Sequence, residues 1–275
     1  MLFRSALHPR LEAWFWREFI PRVDGAISLS HTGLAAALQR FPQLQRIPTG
    51  VIRHGFYQNT DACKVESARA RLGLPQRAKV AMFFGAIRTY KNVALLAKAF
   101  RLVKDPDAIL CIAGNPNSQQ LAEEIQGEAS QDPRIRLKLG FVSDEEIPLY
   151  LNATDLVVLP YREVLHSGSA LLALSFNRPV LVPNLGAMAE LQQDFSADWV
   201  RTYRGPLSHE VLGDGLQWTL QRRHAQCPVS EQYSWQNIGT ETLRFYKMVL
   251  ANPEPIPSPR TSASRKTGNT RANFS

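Results

Sequence analysis

The chain has 275 residues, 44% of them hydrophobic and 20% charged, with a formal charge of +8 and a pI near 9.6. Such a composition excludes a globally disordered chain and allows one large domain or two small ones. Three distant cysteines, Cys63, Cys111 and Cys227, exclude a disulfide framework or a zinc module and argue for a reduced compartment. Part of the basic excess lies near the C-terminus, where Arg260, Arg265, Lys266 and Arg271 face a single Glu254. A basic balance suits nucleic acid, anionic lipid or a phosphorylated ligand. Nucleic acid is the weakest of these and no such partner is expected, because zinc fingers, RNA-binding aromatics and a long basic helix are all missing. No apolar run approaches the roughly 20 residues that span a bilayer, and the first residues lack the small-residue cleavage site of a signal peptide.

The opening segment mixes Phe3, Trp14, Phe15, Trp16 and Phe19 with Arg10, Arg17 and Arg22 at helical spacing. Such a helix either packs on the rest of the protein or lies against an anionic membrane surface as a peripheral contact. "DGAISLS" predicts a strand, "HTGLAAALQRF" a helix opening near Ser30 or Thr32, and "TGVIRHGFY" a strand entering a glycine turn. A polar stretch and a short helix around "SARARLGLP" follow. Strand and helix then alternate: "AKVAMFFG" with "KNVALLAKAFRLV", "AILCIAG" with "SQQLAEEIQGEA", and "IRLKLG" with "SDEEIPLYLNA". "DLVVLPY" precedes "SGSALLALSF", and "PVLVPN" precedes "GAMAELQQ". Short strands that are apolar on both sides, separated by helices, predict an α/β fold: a doubly wound, Rossmann-like parallel sheet. The last 25 residues, 251–275, are rich in proline, serine and arginine, and are expected to form a disordered basic tail.

Ligands of open parallel sheets sit at the carboxyl ends of the strands. Here those ends carry Gly85 with Arg88 and Lys91, Gly114, Gly140 followed by Phe141 and Val142, and the loop "PYREVLHSGSA". That loop opens a helix at Ser167, Gly168 and Ser169, where unpaired backbone N–H groups and hydroxyls make an anion site. With Arg88 and Lys91 opposite, a diphosphate is clamped from two sides. Taken singly, Arg-x-x-Lys at a helix start is solvated surface and Ser-Gly-Ser a cap; their joint place at strand ends carries the functional reading.

In order and spacing these motifs resemble the carboxyl-terminal half of a GT-B glycosyltransferase of the group-1 class, family 4 and its relatives. The resemblance rests on "FFGAIRTYKN", "CIAG", "GFVSDEEIPLYLNATDLVVLPY", "NRPVLVPNLGAMAEL" and the closing helix "YSWQNIGTETLRFYKMVL". "VIRHGFY" is similar to a His-Gly-x-Tyr turn at the domain junction. The resemblance implies a donor domain over 59–250 that binds a nucleotide-diphosphate sugar as substrate, with no cofactor and no metal. Residues 1–58 correspond to the last part of an acceptor domain, the remainder being expected from a partner chain or from further sequence. Arg88 and Lys91 are implied as the catalytic cations. Donor contacts are implied for His54, Gly55, Gly85, Gly114, Phe141, Val142, Glu163, His166, Ser167, Gly168 and Ser169. A structural role for His54, a core histidine bonded to backbone, stands beside that one. The implied reaction moves the sugar to a lipid-linked or polysaccharide acceptor, in the cytoplasm or at the inner face of the membrane.

One departure bears on activity. The usual Glu-x7-Glu pair is absent, with Leu165 and Ala173 falling about where its carboxylates stand and Glu163 and His166 nearby. Two other classes therefore compete with a transferase: a nucleotide-sugar-binding subunit without turnover, and a GT-B-fold epimerase or phosphorylase.

Overall fold

The structure is a computed structural model and describes residues 9–57, 63–220 and 226–251. The tail beyond Ala251 and the segment before Pro9 lie outside the described residues. The first described elements are helix α1 (Pro9–Phe19), strand β1 (Ala26–Ser28), helix α2 (His31–Arg40) and strand β2 (Thr49–Val51). β1 and β2 pair in parallel as a small separate sheet. Helix α3 (Val65–Arg71) leads into the main unit: β3 (Lys79–Phe84), α4 (Val93–Phe100), β4 (Ala108–Gly114), α5 (Gln119–Ala129), β5 (Ile135–Leu139) and α6 (Ile147–Asn152). Next come β6 (Leu156–Val158), α7 (Gly168–Ser175), β7 (Val180–Pro183), α8 (Met188–Phe195), β8 (Val200–Tyr203), α9 (His209–Thr219) and α10 (Trp235–Ala251).

The six strands pair in parallel in the order β5-β4-β3-β6-β7-β8. β3 and β6 lie side by side at the centre, where the strand order reverses, which is the place an open α/β sheet offers to a ligand. The apolar runs behave as expected of strands covered on both faces. All seven residues of β4 are buried, as are five of the six in β3. Serines set the helix starts: the hydroxyls of Ser30, Ser118, Ser167 and Ser208 accept from the N–H of Gly33, Leu121, Ala170 and Val211.

Two stretches differ from the sequence reading. β8 and α9 were not anticipated. β8 is an edge strand with Arg201 and Thr202 half-exposed, so it presents no continuous apolar run. In α1, Trp16 packs on Phe41 at 5.2 Å and the following Ile20 is buried, but Leu11, Trp14, Phe15 and Phe19 face outward. The expected packing against the rest of the protein therefore holds only along the Trp16–Ile20 edge, and the other aromatic residues of the helix stay exposed. α10 closes the chain across the small sheet. A Cβ on Gly25 would come within 2.8 Å of Val249, and one on Gly50 within 3.1 Å of Phe245.

The start of the main unit is fixed by a buried ion pair. Arg69 of α3 is almost fully enclosed, and its guanidinium donates to Asp155 at 2.7 Å and to the carbonyls of Gln76, Ala78 and Ala153. The same Asp155 oxygen accepts from Val80 N–H at 2.8 Å, tying α3 to the first residues of β3 and β6.

Candidate functional site

A cleft of about 730 Å³ opens at the carboxyl ends of β3 and β6. One wall is the turn Arg88–Lys91 and the other is the loop from Tyr161 to Ser169, with Asn117 at the side. The first wall forms because β3 stops at Gly85, whose φ of 117° favours glycine. The chain then makes a 3-10 turn over Thr89–Lys91 and passes through a left-handed Asn92 before α4 begins. Arg162 N–H donates to Tyr90 O at 2.8 Å and ties the two walls together.

The two cations are held differently. Arg88 is half-buried, and one guanidinium nitrogen donates to the carbonyls of Ile87 (2.7 Å) and Asn115 (3.1 Å). These bonds fix its direction without cancelling its charge. Lys91 has no carboxylate partner among the described residues; its ammonium lies 5.9 Å from the Phe83 ring centre and 5.7 Å from that of Tyr161. Loss of water around it, and then repulsion from Arg88, push its pKa down to about 8. A Cβ on Gly85 would sit 3.0 Å from Ser169 Oγ and 3.8 Å from Lys91 Nζ, so hydroxyl and ammonium converge over the bare strand end.

Opposite lies the start of α7. Ser167 Oγ caps the helix by accepting from Ala170 N–H at 3.2 Å and is 3.1 Å from Tyr161 OH. Its hydroxyl is thus structural, while Gly168 and Ser169, the first residues of α7, line the cleft. Glu163 and His166 line the same cleft. Withdrawal of water and then the nearby His54 hold the His166 pKa below the ordinary histidine value.

The structure therefore brings together Arg88, Lys91, Glu163, His166, Ser167, Gly168 and Ser169, with Gly85 beneath them. Other predicted residues fall elsewhere. Gly114 lies under the cleft: a Cβ there would meet Gly85 O at 1.9 Å, so its smallness spaces two strand ends. Gly55 is buried against the Trp235 ring, which a Cβ would enter at 2.4 Å. His54 makes the backbone bond weighed for it, its Nδ1–H donating to Gly55 O at 2.7 Å, yet its ring also lines a small cavity with His166. Phe141, 78% exposed, and Val142 are not among the residues lining this cleft. Ala173 is fully buried, so a carboxylate there would face the core; Leu172, half-buried in the same turn, is the residue that reaches outward. An Asp-x-Asp sequence that the motif reading passed over, Asp105-Pro106-Asp107, lies at the opposite end of the sheet, where Asp105 pairs with Lys79 at 2.7 Å, away from the cleft.

The sequence reading also missed a latch between the small sheet and the main unit. Glu190 of α8 accepts from His31 N–H, Thr32 N–H, the Thr32 hydroxyl and Arg53, capping α2 from outside. Arg53 reaches on to Asp194 at 3.0 Å, which also accepts from Tyr233 OH. Partial burial raises the Glu190 pKa, but the bonds from Thr32, Arg53 and His31 outweigh it and bring the pKa down to about 2. The stabilisation is therefore present above the ordinary 4.5 and lost as pH falls from there towards 2. Glu190→Gln is expected to cost about 1–2 kcal/mol in urea unfolding at pH 7. The gap to the wild type should close by pH 2.

The doubly wound sheet with its cleft at the strand-order reversal is the architecture of a GT-B donor domain. Solved structures agree in fold. Sucrose-phosphate synthase from Thermosynechococcus elongatus superposes with a TM-score of 0.66 at 20% identity, covering 91% of this chain and 64% of that one. Anabaena HepE, solved in complex with UDP-glucose, gives 0.67 at 16% identity, covering 88% of this chain and 67% of that one. The family described as Glycosyl transferases group 1 matches residues 64–221, more than half of the chain, which therefore belongs to that family. A relative from Xanthomonas campestris pv. campestris, GDP-mannose:glycolipid 4-beta-D-mannosyltransferase, is 33% identical over 202 residues. That alignment takes in 74% of this chain but 56% of the relative, so the chain spans little more than half of that protein's length. Alpha-maltose-1-phosphate synthase from Mycolicibacterium smegmatis is 25% identical, with 88% of this chain and 67% of that protein covered.

Proposed function

We propose that this chain carries the donor site of a glycosyltransferase, with residues 59–250 as the donor domain, and that it takes a sugar from a GDP-linked donor to a glycolipid or lipid-linked glycan. One observation carries the reading. Two cations without a carboxylate partner among the described residues, Arg88 and Lys91, face a serine-bearing helix start across one cleft that Glu163 also lines. As the glycosidic bond stretches, positive charge builds on the anomeric carbon and negative charge on the departing diphosphate. Arg88 and Lys91 neutralise that developing charge, and the first N–H groups of α7 add donors. His166, kept neutral by its surroundings, is placed to bond a sugar hydroxyl. The GDP and glycolipid assignments follow the Xanthomonas relative, and no cofactor or metal enters the scheme.

A second reading, binding without turnover, is favoured by the apolar residues at both positions where the family carries its carboxylates. An assay with radiolabelled GDP-mannose and a membrane extract containing lipid-linked acceptors separates the two. Transfer to the lipid fraction that falls about a hundredfold in Arg88→Ala is expected of the transferase. GDP-mannose binding with no transfer to any acceptor would replace it with the binding-subunit reading.

A further inference from the structure

One buried phenol contacts both halves of the cleft. Tyr161 is 4% exposed, closing the loop after β6. Its hydroxyl bonds Ser167 Oγ, the cap of α7, at 3.1 Å. Its ring stands 5.7 Å from Lys91 Nζ on one side and 6.2 Å from the Tyr90 ring. A carboxylate in that place would hold the lysine equally well but would cancel its charge before any ligand arrived. A ring face attracts a cation through its quadrupole and carries no net charge.

We propose that Tyr161 is the positioning residue of this site: its ring seats the Lys91 ammonium in place of a carboxylate, and its hydroxyl holds Ser167, the first serine of the Ser-Gly-Ser start. The proposal rests on the donor-site reading only for the identity of the anion, because the seat itself is a property of the chain without ligand. It explains how a lysine so withdrawn from water is held with no acidic partner among the described residues. It also explains how two walls from different strands keep one spacing: the same side chain touches both. The charged and titratable groups around Lys91 are Arg88 on its own turn, Tyr161 and Tyr90, and, along the facing loop, Arg162, Glu163 and His166.

The test reads Lys91 directly, by NMR of the full chain with isotope-labelled lysine side chains, its signal identified by loss in Lys91→Arg. In the wild type the ε-methylene signal should be shifted upfield by the two rings and should titrate well below the other lysines. Tyr161→Phe keeps the ring and is expected to leave that midpoint in place. It should weaken GDP binding about tenfold through the lost hydroxyl bond. Tyr161→Met removes the ring at similar volume and keeps water out, so the midpoint should fall by about half a unit or more as the attraction of the ring face for the ammonium is lost. A Lys91 signal that titrates with the surface lysines, or an unchanged midpoint in Tyr161→Met, overturns the proposal. If Tyr161→Met does not fold, the wild-type ring shift alone decides: its absence overturns the seat. A wild type with the expected lysine behaviour that binds neither GDP nor UDP supports the seat and overturns the donor-site reading.

Discussion

Lys91→Met is expected to make the protein more stable and to abolish its binding of sugar nucleotides. The lysine titrates at about 8 in the fold against an ordinary 10.5. Between those values the unfolded chain holds more protons, so stability rises with pH there and the charged lysine is a burden at pH 7. At about 1.4 kcal/mol per unit, the penalty is about 3–4 kcal/mol, or roughly 7–14 °C in melting temperature for a chain of this size. A methionine fits between Phe83 and Tyr161 and makes sulfur–aromatic contacts there. Thermal melts at pH 7 with calorimetric titration of GDP-mannose check both halves. A variant less stable than the wild type, or one that binds as tightly, would contradict the account.

The second large effect concerns the fold. Asp155→Ala should cost about 3–5 kcal/mol, because it strands the enclosed Arg69 guanidinium without its counter-charge. It also leaves the Val80 N–H without the acceptor it has at 2.8 Å. The pair itself is a different matter: buried ion pairs exchanged together for apolar residues are often neutral. The double change Arg69→Met with Asp155→Leu is therefore expected to recover the part due to the stranded charge, while the Val80 N–H and the carbonyls of Gln76, Ala78 and Ala153 stay without their partners. Urea denaturation of the three proteins measures this, and a single-variant loss under about 1 kcal/mol would show that water reaches Arg69.

Both predictions rest on features of different legibility. The main sheet could be read because its strands are buried on both faces, which leaves unbroken apolar runs such as "VAMFF" and "ILCIA" between helices of helical period. The Gly85–Lys91 turn could be read because a strand end, a glycine and two cations are contiguous in the chain. β8 was hidden, since an edge strand with a half-exposed Arg201 resembles a loop. Tyr161 was hidden for another reason: its importance lies in contacts with Ser167 and with Lys91, which is far away in the chain, and a tyrosine after a strand has no distinctive local pattern. The Glu190 latch joins residues 158 positions apart and carries no motif either. Gly55 shows the converse, a recognisable turn glycine whose observed contact is the packing of Trp235.

The central claim is that the cleft receives the diphosphate of a sugar nucleotide on Arg88 and Lys91. Calorimetric titration of GDP-mannose from pH 6.5 to 9.5 tests it most directly, because the ligand's own diphosphate does not titrate in that range. Lys91 is charged below about 8 and loses its charge above it. Affinity should hold steady up to about pH 8 and then fall by about tenfold for each further pH unit, with no such fall in Lys91→Arg, which keeps its charge throughout. An affinity flat across that range in the wild type, or no binding of GDP-mannose at any pH, would contradict it.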